Sequence, residues 1–138
     1  MTEQQPEEEE NAAELKLGSV FHNATALSNS EAAMLMNIVL ETRKQEEAAY
    51  VPNPVMQKTL EYAERFSTAR TRAAAISMKQ VLVDAELMEF EIGCVANLMP
   101  ENAEEAKFLI PSLDDARFAN NDEALDTALS NVALYKDT

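Results

Sequence analysis

The sequence contains no tryptophan, one cysteine (Cys94), one histidine (His22) and only two glycines, Gly18 and Gly93. A lone cysteine permits no internal disulfide and no cysteine-built zinc site. His22 and Cys94 are the only residues from which a Cys/His dyad could be assembled. Cys94 falls on an apolar helical stripe, where a thiol is unreactive, and His22 in a weakly patterned segment. Scarce glycine removes the usual material of tight hairpins, so an all-β fold starts badly. No apolar run approaches the ~20 residues of a membrane-spanning helix. The first residues are acidic and polar, unlike a secretory signal, and a soluble intracellular chain is expected. There is no glycine-rich loop to cradle phosphate and no Asp-rich loop with a central glycine to hold calcium. The expected sites are therefore none of the catalytic, cofactor-binding or metal-binding kinds.

Positive charge is also in short supply. Eleven Lys and Arg stand against twenty-five Asp and Glu, a net charge of -14. Such a surface is repelled by phosphate and by anionic membranes. The imbalance is uneven: between Lys58 and Lys79 five bases face two acids, whereas from Asp84 onward thirteen acids face three bases. Lys58, Arg65 and Arg72 recur every seven residues and would share a face of a continuous helix. With Lys79 they form a candidate face for nucleic acid or an acidic partner. The competing reading is a solvated face in which Glu61 pairs with Arg65 one turn on.

What is abundant is alanine, glutamate, leucine and methionine, all good helix formers, and an all-α fold is expected. Residues 1–13, with the run Pro6 to Glu10, read as a disordered acidic tail. Residues 14–50 read as an arm. In its first part Leu15, Leu17 and Phe21 alternate, with Val20 between, predicting a short strand. Nothing later offers a second strand, so its backbone groups would pair with another chain's sheet edge.

The arm's second part is a helix opened by a capping box, Ser28 and Glu31, and running to about Glu47. Met34, Leu35, Ile38 and Val39, widened by Met36 and Leu40, give it more apolar surface than one small domain covers. Leu15, Leu17, Val20, Phe21, Met34, Leu35, Ile38 and Val39 are accordingly the expected partner interface, each worth roughly 1.5–3 kcal/mol if fully buried. After the break at Tyr50 to Pro54, residues 51–138 read as a compact helical domain. Asn53 caps its first helix with Pro54 at the first position. In that helix Val55, Thr59, Leu60, Ala63 and Phe66 are expected to face inward. Ser112 and Asp115 suggest a helix cap, and a last helix begins at Asn121 with Leu125, Ala128, Leu129 and Val132 inward.

Two stretches carry a family likeness. The first is Thr59-Leu60-Glu61-Tyr62-Ala63-Glu64-Arg65-Phe66. The second runs from Phe90 through Asn97-Leu98-Met99-Pro100 into Glu104-Glu105-Ala106-Lys107-Phe108-Leu109-Ile110-Pro111-Ser112-Leu113. Together they resemble the family of subunit 4 of eukaryotic RNA polymerase II, which has a counterpart in the stalk of the archaeal polymerase. The resemblance implies a helical bundle like the HRDC domain of helicases, preceded by an arm (short strand plus helix) that packs on a partner. It implies a nuclear, non-catalytic subunit that shuttles to the cytoplasm and forms a heterodimer with polymerase subunit 7. The pair would form a stalk near the clamp and the RNA exit path, with roles in initiation, factor recruitment and mRNA transport. Two alternatives stay open: the stalk subunit of RNA polymerase III, and a free-standing HRDC-type module binding nucleic acid through the Lys58–Lys79 face.

Overall fold

The structure, a computed structural model, describes residues 8–138. Its helices are α1 (Gly18–Phe21), α2 (Asn29–Glu46), α3 (Pro54–Arg65), α4 (Arg72–Asp84), α5 (Glu89–Leu98), α6 (Ala103–Leu109) and α7 (Asp122–Ala133). Short 3-10 turns stand at Ala12–Glu14 and Pro111–Leu113. The boundaries follow side-chain chemistry. Ser28 and Glu31 form the reciprocal capping box of α2, the serine oxygen accepting from the Glu31 N–H and the Glu31 carboxylate from the Ser28 N–H. Asn53, Thr71, Asn102 and Asn121 accept from the third amide of α3, α4, α6 and α7. Each satisfies a donor that the helix itself leaves orphaned.

The core lies among α4, α5, α6 and α7. It combines large side chains, Leu82, Leu113, Leu125, Leu129, Val95 and Val132, with small ones, Ala69, Ala74, Ala75, Ala103 and Ala106. Alanines at the contacts let the helices approach closely while the leucines fill the remaining space. Helix α4 packs on α5 and α7, and α2 lies against α3 and α4. The stripe expected on α7 is the one buried.

The strand expected at the start of the arm does not form. Among the described residues the only β pairing is an isolated bridge between Asn11 and Lys16. Leu15 has φ +59 and Gly18 φ +79, both outside the extended region. The chain closes on itself, the Asn11 N–H donating to the Lys16 carbonyl at 2.8 Å and the Lys16 N–H to the Asn11 carbonyl at 2.9 Å. With no second strand in reach, local turns satisfy the backbone groups that a lone strand would leave unpaired. The Ala12–Glu14 turn, which straddles the end of the expected acidic tail, packs against Pro111–Leu113. The first seven residues of that tail lie outside the described residues.

Ser112 and Asp115 do not cap a helix either. They join a polar cluster that fastens the 111–118 loop to the start of α5. Glu91 is fully buried, and Arg117 grips both of its oxygens at 2.9 Å. The same carboxylate accepts from the Met88 N–H and from the Ser112 hydroxyl. Arg117 also donates to the Glu86 and Ser112 carbonyls and, through Nε, to Asp115. A charge taken out of water is tolerable only when its lone pairs are filled in this way. Next to it Lys107 donates to the Phe118 carbonyl and to Asp122, tying α6 to the start of α7.

Arg117→Met strands the Glu91 carboxylate and is expected to cost ~3–5 kcal/mol in urea unfolding, whereas Arg117→Met combined with Glu91→Met should cost less than the single change. Asp115 adds a pH dependence. The hydrogen bond from the Arg117 side chain holds its carboxyl below the ordinary 3.8. A depressed pKa contributes stability that is complete above the unfolded value and fades as pH falls through the folded one. The difference in stability between the native chain and Asp115→Asn should therefore be constant above about pH 5 and shrink under stronger acid.

Candidate partner-binding surfaces

Residues 26–29, which lead into α2, are seated on α5. The Ala26 N–H donates to Glu89 at 3.0 Å and the Asn29 N–H to Asn97 at 2.8 Å. Between them Gly93 leaves room for Ala26, whose Cβ would stand 3.4 Å from a Cβ added there. Glu89, Gly93 and Asn97 are spaced by four, so they form one line along α5. Ser30 then accepts from the Thr68 and Ala69 amides at 3.0 Å each, fixing the first turn of α2 against the α3–α4 connection.

With its start pinned, α2 buries Ala33 and Leu40 and lays Met34 half-buried against the core. On the opposite face Leu35, Ile38 and Val39 are 50%, 52% and 47% exposed. A contiguous apolar patch left in water is the ordinary mark of an interaction surface. In the segment before α2, Val20 and Phe21 are also exposed, whereas Leu15 and Leu17 are half-buried. An apolar cleft of about 400 Å³ lies there, lined by Leu17, Phe21, Leu27 and Phe90 among others. His22 is exposed in the turn after α1, and Cys94 lies half-buried on α5, where burial first and the nearby Glu91 second push its thiol pKa up.

The four basic residues are divided by the fold. Lys58 and Arg65 share α3, which ends at Arg65; Arg72 opens a separate helix. Lys79 is half-buried on α4 and faces Glu31 at 3.9 Å and Glu89 at 3.8 Å, so it helps hold the start of α2 to α5. Arg65 does not pair with Glu61; its guanidinium lies 5.6 Å from the centre of the Phe66 ring. Val55, Thr59 and Phe66, expected inside, are exposed, and on their helix Ala63 alone is fully buried. The apolar arc of α3 is wider than the single face that α2 covers. Sequence reasoning missed Glu91, Arg117, Ser30 and Gly93. A second acid in the first turn of a largely apolar helix was the available signal for Glu91.

These features define an all-α protein with exposed apolar stripes on α2 and α3, and with polar side chains that hold loops and helix starts in place. The model of the RNA polymerase Rpb4 family matches residues 26–136, and the chain belongs to that family. It is 37% identical over 132 residues to DNA-directed RNA polymerase II subunit 4 of Arabidopsis thaliana, covering 94% of this chain and 96% of that protein. It is 35% identical to subunit rpb4 of Schizosaccharomyces pombe (94% and 96% covered) and 34% identical to that of Dictyostelium discoideum (94% and 92%).

Gly93→Ile should force residues 26–29 off α5. We expect a loss of ~1–3 kcal/mol from overpacking, with faster hydrogen exchange at the Ala26 and Asn29 amides. Gly93→Ala, which only reaches contact distance, should stay within about 1 kcal/mol of the native chain because alanine is the better helix former.

Proposed function

We propose that this chain is a non-catalytic subunit of nuclear RNA polymerase II that pairs with polymerase subunit 7 to form the stalk, supporting initiation and the recruitment of factors. Residues 14–50 act as the clasp and residues 51–138 as an HRDC-like body that holds it in position. The observation that carries this reading is the exposed stripe Leu35, Ile38 and Val39 on a helix whose other side is fixed to the body. Family membership supplies the assembly in which such a face is covered. The partner buries Leu35, Ile38 and Val39 together with Val20 and Phe21, and the cleft beside Phe90 receives an apolar side chain from it. Leu15, Leu17 and Met34 contribute from the margins, being half-buried already.

The work of such a subunit is binding. Each exposed aliphatic side chain that passes from water to a packed interface contributes ~1.5–3 kcal/mol. The geometry is prepared in advance because the capping box and the Ser30 bonds hold α2 before the partner arrives, which lowers the ordering cost of association.

Leu35→Asp with Val39→Asp replaces exposed groups, so the isolated chain should keep its melting temperature. The same pair should abolish co-purification with co-expressed subunit 7. Intact co-purification at high salt by a variant that folds normally would refute the assignment of this face.

A further inference from the structure

We propose that a second apolar face, on α3, docks an acidic amphipathic helix of another protein. Val55, Thr59 and Tyr62 are spaced by four and three, in one line along the twelve-residue α3, and Phe66 at its C-cap, four residues on, extends that line. Val55 is 74% exposed, Tyr62 59% and Phe66 48%. The rings of Tyr62 and Phe66 rest against each other, centroids 4.8 Å apart, giving a platform with few rotamers to lose on binding. Aromatic side chains grouped this way are the usual energetic anchors of protein interfaces.

Charge identifies the occupant. Lys58 and Arg65 lie seven residues apart and adjoin the outer edge of the stripe. Among the described residues neither has a carboxylate within ion-pair distance, whereas Lys79, Lys107 and Arg117 all do. A chain of net charge -14 has acids to spare, yet among the described residues neither cation has a carboxylate partner, and Arg65 lies over the Phe66 ring at the end of the apolar line. The complementary surface is a helix with apolar residues every three or four positions and acids at its margin. The run Glu7 to Glu10 of this chain has the charge but no apolar side chain, so it does not fill the stripe. Nucleic acid fits less well: Glu61 and Glu64 stand on the same helix as the two cations and repel phosphate.

The test selects a display library of short helical peptides on the full chain, with counter-selection on Tyr62→Ser/Phe66→Ser. Enriched peptides should carry apolar residues at helical spacing flanked by Asp and Glu. Binding of a synthetic copy should fall about tenfold or more with the double serine variant. With Lys58→Glu/Arg65→Glu it should fall about fivefold and return when the peptide's acids are changed to lysine. Both variants alter exposed groups, and unchanged thermal melting confirms that they fold. Three results overturn the proposal: enrichment of neutral or basic peptides, no enrichment over the counter-selected variant, or tighter binding of single-stranded oligouridylate than of any selected peptide through the same residues. A fourth is loss of co-purification with polymerase subunit 7 in the α3 variants, which would make this face part of the stalk interface. Failure of Leu35→Asp/Val39→Asp to disrupt the stalk leaves the α3 result untouched, so the two readings fail separately.

Discussion

The pairing of Glu91 with Arg117 is the constraint on which the second half of the fold depends. Glu91 sits in the first turn of α5, on the face where Ile92, Val95 and Ala96 are buried. A carboxylate there is intolerable unless every lone pair is met. Arg117 meets two, Ser112 one and the Met88 amide another. The consequence is long in reach: residues 111–118 contain no α-helix, yet they are placed as firmly as one. With the loop held, Leu113 and Phe118 enter the core, and Lys107 can bridge to Asp122 at the start of α7. A hydrophobic loop would pack here with comparable energy but without the directionality that hydrogen bonds impose.

The same body decides how the amino-terminal part is displayed. Helix α5 offers its buried Glu91 side to the loop and its Glu89–Gly93–Asn97 line to the lead-in of α2. Rotation of α2 is then limited by Ser30, whose hydroxyl oxygen accepts two amides from the turn after α3. Once Ala33 and Leu40 face inward, helical periodicity obliges Leu35, Ile38 and Val39 to face outward. The exposed stripe is thus the geometric remainder of a well-fixed helix. A face held that rigidly is suited to docking, because little freedom is left to lose.

Much of this was legible in the residues. Caps at Ser28 and Asn53 announce their helices because a side-chain oxygen and an orphan amide are neighbours in sequence. The α7 stripe and the excess apolar surface of α2 follow from periodicity alone. What escaped depends on separations in sequence that local pattern does not encode: Glu91 with Arg117, Gly93 with Ala26, Ser30 with Ala69. The expected strand failed for a different reason. Alternation over Leu15, Leu17 and Phe21 is equally compatible with a tight turn and a short helix, and Gly18 at positive φ favours the turn. On α3 periodicity reveals the apolar arc but not how much of it is covered, and among the described residues α2 is the helix that packs along it.

Cations are too few here to be spent at random, and their division marks which surfaces are structural and which are free. Arg117, Lys107 and Lys79 each contact a carboxylate, and each joins two elements of the body. Arg43, Lys44, Lys58, Arg65, Arg70, Arg72 and Lys136 make no such contact among the described residues, and all but Lys136 lie between the last turn of α2 and the first of α4. The charge of the chain is therefore polarised: most of the free positive charge lies from the last turn of α2 to the first of α4, against a body dominated by acids. A long-range field of this kind orients an approaching acidic partner toward that segment and repels it elsewhere. The apolar face of α2 has a cation only at its far end, where Arg43 follows Val39 by one turn, whereas Lys58 and Arg65 border the α3 stripe at both ends. Any contact made beside Lys58 and Arg65 carries a charge component that salt screens, whereas burial of Leu35, Ile38 and Val39 depends little on ionic strength.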